Sequence, residues 1–466
     1  MLFNSLTFFI FLSLVFGLYW FGCGRSVRLQ NGLVVIASYV FYGWLDWRFC
    51  GLLALSTASA YLCGKMVGKA RERSKTGKGW MWLGVGLNLG VLGFFKYYNF
   101  FAESIHAACA AVGFALDVPT LHLVLPIGIS FYSFMAISYV VDVYRGTVEA
   151  SRSPLVFVAA INFFPQLLAG PIARMPKMLP QFGQRREFDY DLAVDGCRQM
   201  LWGFFKKIVI ADGCAMLTDR LFLEPSAFSG SVLAVGVFTY AVQIYADFSG
   251  YSDIAIGCGK LFGIKMMRNF AFPYFATNIA DFWRRWHISL TTWFRDYVYI
   301  PLGGSRCSRM AHVRNIFIVF VLSGLWHGAA WTFVIWGLVH AVLFVPYILV
   351  RRESKASILR LMGGWLVTMA SVMLAWVFFR ANTLEAAGAY FSSMFSRSLF
   401  SFPNQYLSML PWAIVVLLVE WFQRTKEHAL QIGNLPRFVR VPMYFVLATL
   451  CLAYQQRTGE FIYFQF

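Results

Sequence analysis

NIFIVFVLSGLWHGAAWTFVIWGLVHAVLFVPYIL, residues 315–349, contains no Asp, Glu, Lys or Arg. As a single helix rising 1.5 Å per residue it would run about 50 Å, well beyond the roughly 30 Å hydrocarbon core of a bilayer. It must break or turn back. Arg314 precedes it and Arg351 and Arg352 follow it, so a hairpin returning to the cytoplasmic side is expected. Residues 82–95 and 365–379 are likewise uncharged and almost continuously apolar, a helical pattern rather than the period-two alternation of a β-barrel. The expected fold class is an all-α polytopic membrane protein.

Composition agrees over the whole chain of 466 residues: 59% are hydrophobic and 13% charged, and the mean hydropathy is +0.60. No solvated globular surface has that balance. Forty Lys and Arg against 22 Asp and Glu give a net charge of +18, which in a soluble protein would suggest nucleic acid. Here the basic residues gather in short connections between apolar runs, as the positive-inside rule requires, so no nucleic-acid partner is expected. Nine scattered cysteines without a C-x-x-C pair give no zinc or disulfide framework. The first twenty residues lack a basic n-region and read as a retained span rather than a signal peptide.

Further apolar runs centre on 5–21, 31–45, 50–64, 81–98, 122–142, 200–218, 230–247, 408–423 and 440–455. Placing the basic clusters in the cytoplasm gives eleven or twelve crossings with both termini outside. Segment 154–172 is apolar, but Pro165 and Gly170-Pro171 interrupt it, so it is expected to be re-entrant or interfacial. Residues 246–314 mix aromatic and charged side chains without a long apolar run. Trp283, Trp286 and Trp293 with Arg284, Arg285 and Arg295 have the composition of interfacial helices, whereas Asp247, Asp253, Asp281 and His287 add nothing to membrane docking. No internal repeat or linker divides the chain, so one integral membrane domain over 1–466 is expected.

Of seven histidines, His106, His122, His312 and His428 lie in connections or near span ends and need no function, and His340 reads as a polar core contact. His327 lies about thirteen residues past Arg314, roughly 20 Å along a helix and so deep in the membrane. Gly324 and Gly328 leave room beside it for a close-packed helix or a bound chain. Burial favours the neutral imidazole, which a general base needs. His287 follows two arginines and Trp286 and precedes Ser289. It is placed either to polarise a reacting group or to sit in an interface. Were the two histidines to line one cavity, an acid/base or base/electrophile pair would result. Gly250-Tyr251-Ser252-Asp253 lacks the final glycine of a nucleophile elbow, Gly257-Cys258-Gly259-Lys260 is too short for a P-loop, and no ligand cluster suggests a metal.

ADFSGYSDIAIG (246–257), RRWHISLTTWFRDYVYIPLGG (284–304) and LSGLWHGAAWTFVIWG (322–337) resemble the membrane-bound O-acyltransferase superfamily, in its bacterial branch of alginate O-acetylation membrane proteins. The opening MLFNSLTFFIFLSLVFGLYW, LPIGISFYSFMAISYVVDVYRG (125–146), NFFPQLLAGPIARMPKMLPQF (162–182) and the closing FIYFQF are similar to the same branch. The resemblance implies transfer of an acyl group from a cytoplasmic thioester, acetyl-CoA or an acetylated carrier protein, to a hydroxyl reached through a tunnel from the other side. It implies His327 as the principal catalytic residue and His287 as the second. It also implies an acetylated exopolysaccharide, of alginate or cellulose type, and a periplasmic SGNH-type acetyltransferase or other polysaccharide-modification subunit as partner in the bacterial inner membrane. Tunnel or substrate candidates are Trp326, Trp286, Ser289, Asp253 and Arg174, while Asp281, Arg284, Arg295 and Asp296 read as structural ion pairs. Two other functions fit: D-alanyl transfer onto teichoic acid, which needs a carrier protein, and a transporter or flippase whose histidines relay protons.

Overall fold

The computed structural model describes residues 1–114, 116, 118–168, 170–349, 357–403, 407–455 and 461–462, and within them every regular element is helical. Arg351, Arg352 and most of the closing FIYFQF lie outside the described residues. By internal contacts the chain divides into two compact units, Met1–Ala193 with Cys258–Met266, and Val194–Gly257 with Met267–Phe466.

In the first unit the helices are α1 (Leu6–Gly17), α2 (Val27–Gly43), α3 (Phe49–Glu72), α4 (Lys78–Leu92), α5 (Tyr98–Ala111), α6 (Ile129–Arg145), α7 (Pro154–Ile161), α8 (Phe164–Leu167) and α9 (Met175–Gly183). α3, α4 and α6 pack on one another, and α2 packs on α7 and α8. The break expected in 154–172 lies between α7 and α8. Ser153 caps α7 by accepting from Val156 N–H. At the other end Gln166 Nε2 donates to the carbonyls of Ala160 and Ile161 at 2.8 and 3.0 Å. A buried side-chain amide thus supplies the donors that an interrupted helix loses.

The second unit continues with α10 (Tyr190–Phe204), α11 (Asp212–Leu223), α12 (Gly230–Leu261), α13 (Ile279–Arg285), α14 (Ile288–Phe294), α15 (Arg309–His327), α16 (Trp331–Leu349), α17 (Ile358–Arg380), α18 (Leu384–Met394), α19 (Leu410–Phe422) and α20 (Arg437–Tyr454). α12 differs from the expectation of a span ending near 247 followed by a polar interval. It runs unbroken for 32 residues, and 83% of its most apolar window is buried inside the protein. Its polar side chains are tolerated because they meet partners. Lys207 Nζ lies 2.7 Å from Asp212 and 2.9 Å from Asp247, and Lys206 Nζ lies 2.7 Å from Asp253 and 2.8 Å from Ser249. Gly250 and Gly257, which open the two rejected motifs, let α12 touch α10: a Cβ on Gly250 would sit 2.8 Å from the Gly203 carbonyl oxygen, and one on Gly257 2.5 Å from that of Gly196.

The 315–349 run turns back as expected. α15 ends at His327, α16 starts at Trp331, and the two pack more extensively than any other helix pair. A Cβ on Gly324 would collide with the Phe333 carbonyl, and one on Gly337 with that of Phe320. Gly337→Val therefore forces the hairpin apart, at a cost of about 1–3 kcal/mol for overpacking. The expected result is a lower melting temperature in detergent than wild type, and an unchanged one would mean the hairpin yields without cost.

Among the described residues, six helices are long and apolar enough to cross a bilayer: α3, α12, α15, α16, α17 and α20. That is fewer than the eleven or twelve crossings read from hydropathy. Several expected spans are short or divided: α2 and α6 have 17 residues each, and π-helical segments Gly93–Tyr97 and Phe205–Ala211 interrupt two others. The aromatic interval also differs from a surface anchor. Trp283, Trp286 and Trp293 are buried in protein, while Arg284 and Arg295 remain largely exposed.

Candidate active site

His287 and His327 are forty residues apart in sequence, yet the second unit brings their rings together, with centroids 6.4 Å apart. Both are buried, at 1% and 3% exposure. At that separation no ring nitrogen of one reaches the other within hydrogen-bond distance, so a reacting atom must lie between them for protons to pass.

His327 is placed by the end of α15, one residue before Gly328 breaks the helix. Trp326, Trp336 and Phe379 surround its ring edge-on, with centroids at 5.0, 5.2 and 5.3 Å. His287 is placed by a local distortion: it caps α14 with φ +43°, a left-handed conformation uncommon outside glycine. The backbone around it is clamped, since Ile288 N–H donates to the Asn269 carbonyl at 2.8 Å and Ala271 N–H to that of Arg285 at 2.9 Å. Such strain persists where surrounding contacts over-determine it, and it concentrates at functional sites.

The His287 ring packs on Phe248 at 4.6 Å and on Trp326 at 5.8 Å. Its Nδ1 lies 3.2 Å from Asn269 Oδ1 and 3.4 Å from Ser289 Oγ. Its Nε2 is buried without a hydrogen-bond partner among the described residues. Burial pushes the imidazole down to about 3, so the ring is neutral at pH 7.

Of the other residues singled out from sequence, Trp326 touches both histidines. Trp286 stands one ring behind, against Phe270, Phe282 and Trp376. Ser289 supports the back of His287 rather than facing outward, its Oγ donating to Asn269 Oδ1 at 2.9 Å. Asp253 is engaged by Lys206 and by Gln199 Nε2 at 2.8 Å. Arg174 belongs to the first unit, where it caps α9 and is half-buried. The acidic and basic residues of α13 and its neighbour form ion pairs as expected, in separate groups: Arg285 and Arg284 on Asp281 at 2.9 and 3.5 Å, and Arg295 on Asp296 at 2.8 Å. Asn269 was missed by sequence reasoning. An asparagine 18 residues before the histidine, in an aromatic stretch, carries no local signal.

Trp336 links His327 to His340, which sits in a cage of Trp283, Trp336 and Phe320. Beyond that cage lies an open, mostly apolar cavity of about 360 Å³, walled by Trp283, Phe294, Phe320 and Phe344, with Arg284 and Arg295 on its lining. No group of three or more His, Cys, Asp or Glu side chains able to hold a metal occurs among the described residues.

The sequence profile of the membrane-bound O-acyltransferase family matches residues 150–387, which include both histidines. The chain is 42% identical over 397 residues to a probable alginate O-acetylase of Azotobacter vinelandii, covering 85% of this chain and 78% of that protein. It is 35% identical over 383 residues to a peptidoglycan O-acetyltransferase of Helicobacter pylori, covering 76% and 71%. Over 249 residues, 51% of this chain and 62% of the other, it is 32% identical to a teichoic acid D-alanyltransferase of Bacillus subtilis.

Proposed function

The chain belongs to the membrane-bound O-acyltransferase family, and from that premise we propose that it moves an acetyl group from a cytoplasmic thioester to a hydroxyl, for O-acetylation of an exopolysaccharide. The observation that carries the site assignment is the meeting of His287 and His327 in one buried aromatic pocket. Neutral His327 takes the proton of the acceptor hydroxyl as its oxygen bonds to the thioester carbonyl carbon. His287, or the indole N–H of Trp326 or Trp286, steadies the oxyanion. The C–S bond then breaks, and the departing thiolate takes the proton from His327. Enclosure by aromatic rings keeps out water that would hydrolyse the thioester. The cavity beside His340 suits an apolar donor arm, and Arg284 and Arg295 suit an anionic group on it.

The donor is acetyl-CoA or an acetylated carrier protein, and the polymer is of alginate or cellulose type, as the alginate O-acetylase relatives favour. The connections between successive described helices hold no more than 17 residues, too few for a polymer-binding domain, which supports relay through a separate periplasmic SGNH-type acetyltransferase or other polysaccharide-modification subunit. The bilayer is the inner membrane of a bacterium. D-alanyl transfer rests on a relative sharing only half of the chain.

The test is base-labile acetate on the secreted polysaccharide of a deletion strain. Complementation with wild type is expected to restore it. If export of the polymer changes while its ester content does not, the protein is a transporter. Full polymer acetylation in membranes holding this protein alone would refute the relay.

A further inference from the structure

Asn269 is the residue around which the back of His287 is organised. Its Oδ1 accepts from Ser289 backbone N–H at 3.2 Å and from Ser289 Oγ at 2.9 Å, and its Nδ2 donates to Ser252 Oγ at 3.0 Å. A backbone N–H can only donate, so the atom facing Ser289 is the amide oxygen, and the side-chain flip is settled by chemistry. The same oxygen faces His287 Nδ1 at 3.2 Å. An oxygen cannot donate, and Ser289 Oγ, 3.4 Å from Nδ1, gives its one hydrogen to the same Asn269 oxygen at 2.9 Å, so Nδ1 carries the proton and the neutral ring bears its lone pair on Nε2.

Resting on the catalytic reading above, we infer that Asn269 is a positioning residue that holds His287 in the Nδ1–H tautomer, so that Nε2 meets the substrate as a hydrogen-bond acceptor. Amides and carboxylates orient catalytic and metal-binding imidazoles in this way elsewhere. The consequence divides the work of the site. A ring whose only proton is bound to Asn269 has none to give an oxyanion, so oxyanion stabilisation falls to indole N–H groups, with Trp326 in contact with both histidines. His287 instead orients a hydrogen-bearing group of the substrate. The buried, unpartnered Nε2 is the lone pair left for that purpose.

The groups packed around His287 leave it neutral. Phe248 comes from α12, Phe270 from the segment before α13, and Trp326 and His327 from α15. Behind Asn269 and Ser252 a small polar cavity holds Lys206, Asp253, Arg268, Glu420, Glu427 and His428, in which cations and carboxylates are mixed.

Two measurements test this. The first is ¹⁵N NMR of histidine-labelled full-length protein in nanodiscs, with the His287 signals identified by their loss in His287→Ala. Wild type is expected to show a protonated Nδ1 and bare Nε2 that persist down to pH 5, since burial holds the ring near 3. Asn269→Ala is expected to lose that preference and Asn269→Asp, which keeps the acceptor, to retain it. A wild-type ring protonated on Nε2 would overturn the inference. The second is a cycle of polymer acetate at matched membrane levels. Asn269→Ala should lower acetate about 10- to 100-fold, Asn269→Asp should restore most of it, and Asn269→Ala should cost nothing further in a His287→Ala background. A wild-type level in Asn269→Ala, or an added loss on top of His287→Ala, rejects the positioning role. If His287→Ala itself acetylates like wild type, the catalytic reading of His287 fails, and the NMR still reports the tautomer. If His287→Ala leaves no acetate, the tautomer measurement and the Asp rescue decide.

Discussion

His327→Ala is expected to cut polymer acetate by about 10²- to 10⁴-fold, the contribution of a positioned general base, equivalent to roughly 3–5 kcal/mol of barrier. The loss should be in turnover, because the side chain sits among Trp326, Trp336 and Phe379, which alanine leaves in place. The control is His340→Phe. His340 is just as buried and lies in the adjoining aromatic cage, so a change there perturbs packing of the same kind without touching the pair of facing imidazoles. Wild-type acetate in His340→Phe beside its loss in His327→Ala, at matched membrane levels, separates chemistry from folding. Full acetate with His327→Ala would remove the general-base assignment.

Lys207→Met should be the most damaging change to the fold. The ammonium lies between Asp212 and Asp247, and all three groups are buried. Removing one partner of such a cluster strands the others, at a cost of about 3–5 kcal/mol. Asp247 also accepts from Ile462 N–H at 2.8 Å, so the damage should spread to the segment around 461–462. Expected is a sharp fall in membrane level and in detergent melting temperature, partly reversed when Asp212→Asn and Asp247→Asn are added. Unchanged melting of Lys207→Met would show that water reaches and solvates the two carboxylates.

Much of the architecture was legible because membrane physics is severe. An uncharged run about 50 Å long cannot be one span, and the turn after His327 follows. Proline in 154–172 likewise foretold the break between α7 and α8. The count of crossings and the course of α12 were not legible. In a membrane protein, an apolar side chain facing lipid and one facing another helix look alike in sequence, because both environments are dry. Polar residues in 246–261 suggested an exit from the helix, whereas Lys206 and Lys207, arriving from the end of α10, neutralise Asp253 and Asp247 and let it continue.

The sequence by itself determined that the chain is an all-α polytopic membrane protein, which family it resembles, and which two histidines deserve suspicion. Those conclusions depend on composition, on run length against bilayer thickness, and on short contiguous motifs. Only the tertiary structure decided that the two imidazoles come together, that Asp253 meets Lys206, and that Asn269 lies against His287. Each of these is a contact between residues distant along the chain, made when α12, α14 and α15 pack, and a local pattern of residue types carries no information about that distance.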